Sequence, residues 1–239
     1  MSRCFTLYAL AVFLAVVVLP PRSIGQDTSH DTIEGHPATV TAGRQDHHGA
    51  AYYIWTPTVP AITLPASVAF SFVPSLHEHE VSLRDNLQQA TGGSRCHIDN
   101  VTQYVPSAAV LGLNLCGVPS RSSLKRQTIQ LAESYIIGGA VELSSKYFID
   151  KERPDGRGLN SFPSGHTFTA FVGAEMLRLE YGQEYPAIAV AGYAVATLTG
   201  ALRIYNNRHW ASDVLAGASV GILSVQLSEL INRCFYKRF

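Results

Sequence analysis

From about residue 104 to its end, the chain is a series of apolar segments with helical spacing, and none shows the alternation of a strand. No β-hairpin signal separates them. We therefore predict an all-α fold, a membrane-embedded bundle of about five to six helices with a polar N-terminal extension. The predicted helices lie near residues 105–117, 122–149, 165–181, 186–204 and 210–232. Glycine, alanine and serine recur inside them, which is typical of membrane helices whose backbones approach closely.

Segment length alone leaves a buried soluble bundle open as an alternative. Residues 186–202 carry no charge but reach only the lower limit for a membrane span, and residues 214–227 are shorter still. Charge placement favours the membrane, because consecutive antiparallel helices would collect cations at one end, as expected of a cytoplasmic side. These cations are Arg121, Lys125, Arg126, Arg178, Arg233, Lys237 and Arg238.

The N-terminal part divides into three segments of different composition. Residues 1–25 have a basic start, an apolar core and small residues at the end, which predicts a secretory signal peptide; an uncleaved anchor is the alternative. Residues 26–51 are polar and aperiodic and are predicted to form a flexible leader. Residues 52–100 form an arm whose uncharged stretch is expected to be broken by Pro57, Pro60, Pro65 and Pro74, which favours an interfacial or re-entrant segment over a straight spanning helix. The helical domain then occupies residues 101–239.

Charge and cysteine content exclude several classes of protein. The chain carries 18 basic and 18 acidic residues, so it lacks the basic surface that nucleic-acid binding usually requires. Without the signal peptide, three cysteines remain, and Cys96 and Cys116 are the only pair close enough in sequence to suggest a disulfide. No Cys-x-x-Cys pair or fixed histidine spacing is present, so no metal site is predicted.

Two polar segments are predicted to meet at the end of the bundle opposite those cations. In KYFIDKERP, Lys146 and Arg153 lie two helical turns apart before a helix-ending proline. In PSGH, residues 163–166, a proline and a glycine stand where they are tolerated, at the first turn of a helix. Each segment alone is compatible with a solvated charged face or an ordinary capping turn.

A third segment, RIYNNRHWASD, is predicted to reach the same end. Arg203 leaves one helix, and His209 and Asp213 are four residues apart, so they share a face of the next helix. Asp213, hydrogen-bonded to one ring nitrogen of His209, would aim the other ring nitrogen at a ligand. Three cations and two histidines at one end of a bundle indicate a common anionic ligand rather than three unrelated local features.

A phosphate group accounts for the combination. Arg153 and Arg203 can bind its oxygens in bidentate fashion, and Lys146 adds a point charge. The helix start at Ser164 and Gly165 offers backbone N–H groups to an anion. Phosphoryl transfer needs mainly positioning and charge stabilisation. Of the two histidines, one must be neutral to attack phosphorus and the other protonated to release an alkoxide.

These segments resemble the signature of the type 2 phosphatidic acid phosphatase superfamily in order, spacing and gaps, over about residues 100–235. The matching residues are Lys146, Arg153, Pro154, Pro163, Ser164, Gly165, His166, Arg203, His209 and Asp213. One departure is Leu202, where the family commonly has a serine before the arginine. It removes one hydroxyl but leaves every charged and imidazole group in place.

The resemblance implies metal-free and cofactor-free phosphoester hydrolysis through a phosphohistidine intermediate. His209 would be the nucleophile, His166 the general acid, and Asp213 the residue that orients the nucleophile. The phosphate would be held by Lys146, Arg153, Ser164, Gly165 and Arg203. The resemblance also implies a helical bundle in the bacterial inner membrane, with the site at the periplasmic ends of the helices.

Several substrates and functions remain open at this stage. The segment after Asp213 resembles the glycine-rich closing helix of the membrane branch of the superfamily. This resemblance and the segregated charge favour a lipid phosphate or diphosphate, such as lipid A, undecaprenyl diphosphate or phosphatidylglycerol phosphate. The predicted signal peptide and the glutamates inside helices favour the alternative, a soluble periplasmic acid phosphatase. A vanadate-dependent haloperoxidase would use the same residues. A non-catalytic phospholipid-binding module would need neither a paired nucleophile nor a separate acid.

Overall fold

The computed structural model describes residues 50–236, with side chains described for residues 58–234. The predicted signal peptide and nearly all of the predicted leader lie outside this part of the chain. Within residues 50–236 the regular structure consists of eight α-helices and one isolated β-bridge, between Lys151 and Asn160. The prediction of an all-α fold is confirmed.

The helices follow one another with short connections. Their bounds are α1 (Ala50–Phe72), α2 (Pro74–Thr91), α3 (Asp99–Thr102), α4 (Val105–Leu115), α5 (Leu124–Phe148), α6 (Gly165–Tyr181), α7 (Pro186–Tyr205) and α8 (Ala211–Tyr236). The five predicted helices correspond to α4–α8, and each starts within two residues of its predicted position. Start signals explain this accuracy: Ser123 caps α5, and Pro186 stands in the first turn of α7.

The proline-rich arm forms two helices rather than an irregular segment. α1 continues through Pro57, Pro60 and Pro65, so the expectation that these prolines break the run is wrong. Proline is tolerated inside a helix when the surroundings satisfy the backbone groups that it frees, as in membrane helices. The chain turns only at Val73, where the helix of residues 58–72 and α2 meet at 88°. The bend agrees with a re-entrant or broken segment.

α6 is the central helix, and it carries the PSGH segment at its start. Nearly all of its residues are buried, and Phe168, Val172 and Met176 belong to the main hydrophobic core. α4, α5, α7 and α8 all pack against it. Because four other helices enclose α6, the position of its N-terminus is fixed.

Small residues allow the neighbouring helices to come close to α6. A Cβ at Gly173 would meet the backbone of Ser107 on α4, and one at Gly217 on α8 would meet the carbonyl oxygen of Ser164. The interpretation of these glycines as close-contact positions is confirmed. Gly112 and Gly139 differ, since nothing lies within 4 Å of a Cβ added at either.

Within residues 58–234, the two ends of the bundle carry the charges that the sequence assigned to them. At one end, Arg121 donates its backbone N–H to Glu180 O (3.0 Å) and pairs through its side chain with Glu229. The other end collects the C-termini of α5 and α7 and the N-termini of α6 and α8. In the described part of the chain, two helices, Pro186–Tyr205 and Ala211–Cys234, are long and apolar enough to cross a membrane, and the bent pair is a third candidate.

The described cysteines are not paired. Cys96, Cys116 and Cys234 are free thiols on exposed residues. The loop at Cys96 is instead held by Asn206, whose side chain bonds both the N–H and the carbonyl oxygen of Cys96, at 2.8 and 2.7 Å. This ties the arm to the end of α7, next to the polar end of the bundle.

Candidate active site

The N-terminus of α6 is not capped by its own N-cap side chain. Ser164 occupies the N-cap position but its hydroxyl bonds Thr167 Oγ1 (2.9 Å), and its side chain makes no cap bond to the first turn. Its own N–H donates to Asp213 O (2.9 Å), which joins the start of α6 to the start of α8. The N–H groups of a helix start carry a partial positive charge and bind anions.

Glu142 and Lys146 flank this helix start from α5. The two side chains form an ion pair with 2.5 Å between Glu142 Oε1 and Lys146 Nζ, one turn apart. The same carboxylate lies against Gly165, so closely that a Cβ on that residue would collide with it. A side chain at residue 165 would therefore force the Glu142 carboxylate to move.

Arg203 is fixed by a buried carboxylate that the sequence did not indicate. Its Nη1 donates to Asp99 Oδ2 at 2.6 Å, and the two residues are 8% and 1% exposed. Within the described residues, Arg203 Nε and Asp99 Oδ1 are buried without a hydrogen-bond partner. A buried N–H without an acceptor is costly, so Arg203 Nε is a donor in need of a ligand oxygen.

His166 stands in the first turn of α6 and contacts the short helix α3. Its Nε2 lies 2.9 Å from Asn100 Oδ1, so a protonated Nε2 donates to that oxygen. Burial, and then the charge of Arg203, lower the pKa of His166 to about 4. At neutral pH this pKa corresponds to a neutral imidazole. A phosphate dianion would oppose this effect and favour the protonated form that an acid requires.

His209 is buried, and its ring orientation is set by a carbonyl group. Its Nδ1 lies 2.8 Å from Ser161 O and 3.7 Å from Asp213 Oδ2. The expected hydrogen bond from His209 to Asp213 is therefore replaced by one to a backbone carbonyl. The reason is that Asp213 Oδ2 already accepts from Ser161 Oγ (2.5 Å) and Trp210 N (2.9 Å). A proton on Nδ1 leaves Nε2 with a free lone pair.

The surroundings of His209 favour its neutral form. Burial lowers the pKa of the imidazole, against the opposing influence of Asp213, and the charges of Arg203 and Arg153 lower it further. A neutral imidazole with a free Nε2 is the form that can act as a nucleophile. The nucleophilic role expected of His209 from sequence is compatible with this arrangement, although the hydrogen-bond acceptor differs.

Arg153 lies in the loop between α5 and α6. Its Nε donates to Asn160 Oδ1 (3.0 Å), and its backbone N–H donates to Gly158 O (2.9 Å). Burial, and then the charge of Arg203, lower the pKa of Arg153. A guanidinium nevertheless stays charged in proteins. Two arginines close enough to repel each other indicate a site that an anion would stabilise.

The structure brings the predicted residues together. The charges of Arg203 and Lys146 act on His166, and those of Arg203 and Arg153 act on His209. The two histidines also influence each other electrostatically. These mutual influences place the cations and the two imidazoles, which come from four chain segments, near one another at this end of the bundle.

Comparison with known proteins agrees with this geometry. Residues 127–235 match the family profile of the PAP2 superfamily. These residues form a PAP2 superfamily domain. A lipid A 1-phosphatase from Porphyromonas gingivalis is 44% identical over 158 residues, which cover 64% of this chain and 36% of that protein. The chain therefore matches about a third of the length of that relative.

A solved structure supports the fold of the PAP2 domain and of its surroundings. It is the first transmembrane PAP2 type phosphatidylglycerolphosphate phosphatase from Bacillus subtilis. The TM-score is 0.55 at 18% identity, over 76% of this chain and 98% of that one. At this identity the likeness concerns the arrangement of helices alone.

Sequence reasoning missed the residues that support the site from outside the three segments. Asp99 and Asn100 precede the PAP2 domain, and nothing in the short polar stretch around them indicates a partner far along the chain. Ser161 and Lys151 lie inside or beside recognised segments, but their partners are on α8. Glu142 gave a weak signal, as one of the glutamates inside the predicted helices.

Leu202, the departure from the usual pattern, is half-buried near the C-terminal end of α7. Its carbonyl oxygen accepts from Asn206 N (2.8 Å), a backbone bond that any residue can make. The substitution therefore leaves the connection from Arg203 to His209 unchanged in the PAP2 domain.

Proposed function

We propose that this protein hydrolyses a phosphate monoester of a membrane lipid, with a glycolipid of the lipid A class as the favoured substrate. The observation that carries the proposal is the convergence of His209, His166 and three cations on the N-terminus of α6. The relative from Porphyromonas gingivalis supports the choice of lipid. The proposal has three parts: the hydrolytic activity, the lipid substrate and the orientation of the protein in the membrane.

In the first step His209 Nε2 attacks phosphorus while the ester P–O bond breaks. The proton on Nδ1 stays bonded to Ser161 O (2.8 Å), so the imidazole keeps its orientation as positive charge develops. His166 gives its proton to the departing alkoxide oxygen, which leaves as the lipid alcohol. The products of this step are a phosphohistidine and a neutral His166.

In the second step a water molecule takes the position vacated by the alcohol. Neutral His166 accepts a proton from the water as its oxygen attacks phosphorus. The P–N bond to His209 breaks, and inorganic phosphate leaves. Arg203, Arg153 and Lys146 stabilise the oxygens of phosphorus in both transition states, because the cations are held in place before reaction.

An apolar cavity supports a lipid leaving group. About 500 Å³ in volume, it lies between α4, α5 and α6, and its lining includes Tyr104 and Thr169, which follow Asn100 and His166 in sequence by four and three residues. In-line displacement requires the leaving group to lie opposite His209, on the side of the acid. The cavity is lined by Tyr104, Ser107, Ala108, Leu111, Thr128, Leu131, Tyr135 and Thr169.

The distribution of charge supports an orientation in the bacterial inner membrane. The basic end of the bundle matches the excess of Lys and Arg on cytoplasmic sides, so the site would face the periplasm. The two helices able to span a membrane support an integral protein. Extraction only with detergent is the expected behaviour, whereas release by osmotic shock would favour a soluble periplasmic acid phosphatase.

Phosphate release from a panel of substrates tests the function. Purified protein in detergent is given lipid A, undecaprenyl diphosphate, phosphatidylglycerol phosphate and a soluble sugar phosphate. We expect the highest kcat/KM for lipid A. His209→Ala should release no phosphate above background from any of these substrates. Preference for the soluble substrate, or wild-type rates in the His209 variant, would overturn the proposal. Trapping of an acid-labile phosphate on wild-type protein checks the intermediate.

A further inference from the structure

Lys151 is a buried cation without a role in the mechanism described so far. It lies in the loop between α5 and α6 and is 7% exposed. Its Nζ donates to Asp213 Oδ1 (2.8 Å), Ser212 Oγ (2.8 Å) and Ser71 Oγ (2.9 Å). Three acceptors saturate an ammonium group, so Lys151 has no donor left for a substrate phosphate.

The contacts of Asp213 explain why this lysine bears on the reaction. Lys151 holds one carboxylate oxygen, while Ser161 Oγ and Trp210 N hold the other. With both oxygens occupied, the carboxylate stays 3.7 Å from His209 Nδ1. The nearest negative charge to the nucleophile is thus kept at a fixed distance and is partly neutralised by its partner.

The arm completes the surroundings of Lys151. Glu80 of α2 is buried, accepts from Ser212 N (2.6 Å), and lies 3.9 Å from Lys151 Nζ. His77 Nδ1 is 3.1 Å from the other oxygen of Glu80. Around His209 the charged and titratable groups are therefore Glu80 and His77 from α2, Lys151 and Arg153 from the loop, His166 from α6, Arg203 from α7 and Asp213 from α8.

We propose that Lys151 is a positioning residue that holds the Asp213 carboxylate and offsets its charge, so that His209 stays neutral before the attack on phosphorus. The inference rests on the proposed function of His209 as the nucleophile. Without Lys151, an uncompensated buried carboxylate beside the imidazole would favour the imidazolium, which cannot attack. Once phosphorus is bonded to Nε2, the same carboxylate stabilises the positive ring.

The first test follows the ionisation of His209 directly, in protein labelled with ¹⁵N-histidine in detergent micelles. NMR titration should place the pKa of His209 higher in Lys151→Met than in wild type, by about one unit. Lys151→Arg should restore the wild-type titration, because it keeps the charge. Lys125→Met is the matched control, since Lys125 is exposed at the far end of the bundle. An unchanged pKa in Lys151→Met would overturn the proposal.

A double variant keeps the inference falsifiable if Lys151→Met does not fold. Asp213→Asn and Lys151→Met/Asp213→Asn leave no unpaired buried carboxylate. If Lys151 acts through Asp213, the two proteins should give the same pKa for His209, and a difference between them would contradict the proposal.

Kinetics separate this inference from the proposed function. In Lys151→Met the acid limb of the pH profile of kcat/KM should move to higher pH, so activity near the limb falls about tenfold more than on the plateau. KM should stay within about twofold, because Lys151 does not reach the phosphate. An equal loss at every pH would mean a structural role only.

A wild-type protein that is inactive on every lipid phosphate would refute the proposed function. An active wild-type protein together with an unshifted pH profile in Lys151→Met would refute only the role of Lys151.

Discussion

Arg203 and Asp99 form a buried ion pair, with 2.6 Å between Nη1 and Oδ2, that joins the C-terminal end of α7 to the short helix α3. The pair fixes a guanidinium whose Nε remains without an acceptor within the described residues. A cation held in this way is ready for a phosphate oxygen before the substrate arrives. Preorganisation of this kind is usually the largest electrostatic contribution to catalysis.

Replacement of Asp99 by asparagine should therefore damage catalysis through Arg203. We expect kcat/KM for phosphate release to fall by about 10- to 100-fold, the usual worth of a hydrogen bond to a charged group. Arg203→Lys, which loses the planar fork, should cost on the order of 10²-fold or more. Asp85→Asn is the control, since that carboxylate pairs with Arg84 at the surface. Wild-type activity in Asp99→Asn would contradict the role given to the pair.

The role of His166 predicts a dependence on the leaving group. An alkoxide needs a proton as it departs, so His166→Asn should slow hydrolysis of an alkyl or lipid phosphate by about 10²- to 10⁴-fold. p-Nitrophenolate is a weak base and leaves without help, so hydrolysis of p-nitrophenyl phosphate should fall far less. Steady-state rates on both substrates check this.

His209→Ala provides the comparison for that experiment. It removes the nucleophile and should abolish release from both substrates. Equal losses on the two substrates in His166→Asn would contradict general-acid catalysis by this histidine.

The low pKa of His166 predicts a pH-dependent stability with a definite sign. The unfolded histidine takes up its proton near pH 6.5, whereas the folded one does so at about 4. The unfolded state binds more protons between these values, so the stabilising contribution is present above pH 6.5 and is lost as the pH falls toward 4. Burial of His209 acts in the same direction.

Thermal unfolding with and without phosphate measures this effect. Without phosphate, Tm should fall between pH 7 and pH 5, and it should fall less in His166→Asn. Phosphate should reduce the fall in wild type, because a bound anion favours the imidazolium. A wild-type protein whose Tm is no more sensitive to pH than the variant would contradict a depressed pKa at His166.

The helices and the three charged segments could be predicted from sequence because their signals are local. Capping residues, prolines and apolar periodicity indicated the helices α4–α8. The characteristic spacing of Lys146 and Arg153 lies within one segment, and that of His209 lies within another. The supporting contacts are not local: Asp99 and Arg203 are 104 residues apart, and Lys151 and Asp213 are 62 residues apart. No periodicity encodes such pairs.

Two expectations from the sequence were wrong, and each error has a physical cause. The three prolines of α1 lie in a continuous helix, because the cost of a proline depends on what replaces its missing N–H. The hydrogen bond expected between His209 and Asp213 assumed that helical spacing four apart brings the groups into contact. The Asp213 carboxylate instead accepts hydrogen bonds from Lys151, Ser161 and the N–H of Trp210, and His209 Nδ1 bonds the carbonyl oxygen of Ser161.

Gly165 should be intolerant of a side chain for a reason that can be tested against Glu142. A Cβ at residue 165 would collide with the Glu142 carboxylate, which would have to move together with its partner Lys146. The carboxylate is the far end of a flexible side chain and can shift at small cost in stability, but the Lys146 ammonium would shift with it, so kcat/KM of Gly165→Ala should fall by roughly tenfold or more. Gly139→Ala is the control, because that helical glycine has open space around it and gains helix propensity of about 1 kcal/mol.

A second substitution separates the collision from other effects of the methyl group. In Gly165→Ala/Glu142→Ala the clashing carboxylate is absent, so the double variant should recover part of the stability and activity lost in Gly165→Ala. Tm and kcat/KM of the four proteins form a double-mutant cycle. Strictly additive losses would mean that residue 165 and Glu142 do not interact, and that the methyl group acts on the phosphate or on the helix start itself.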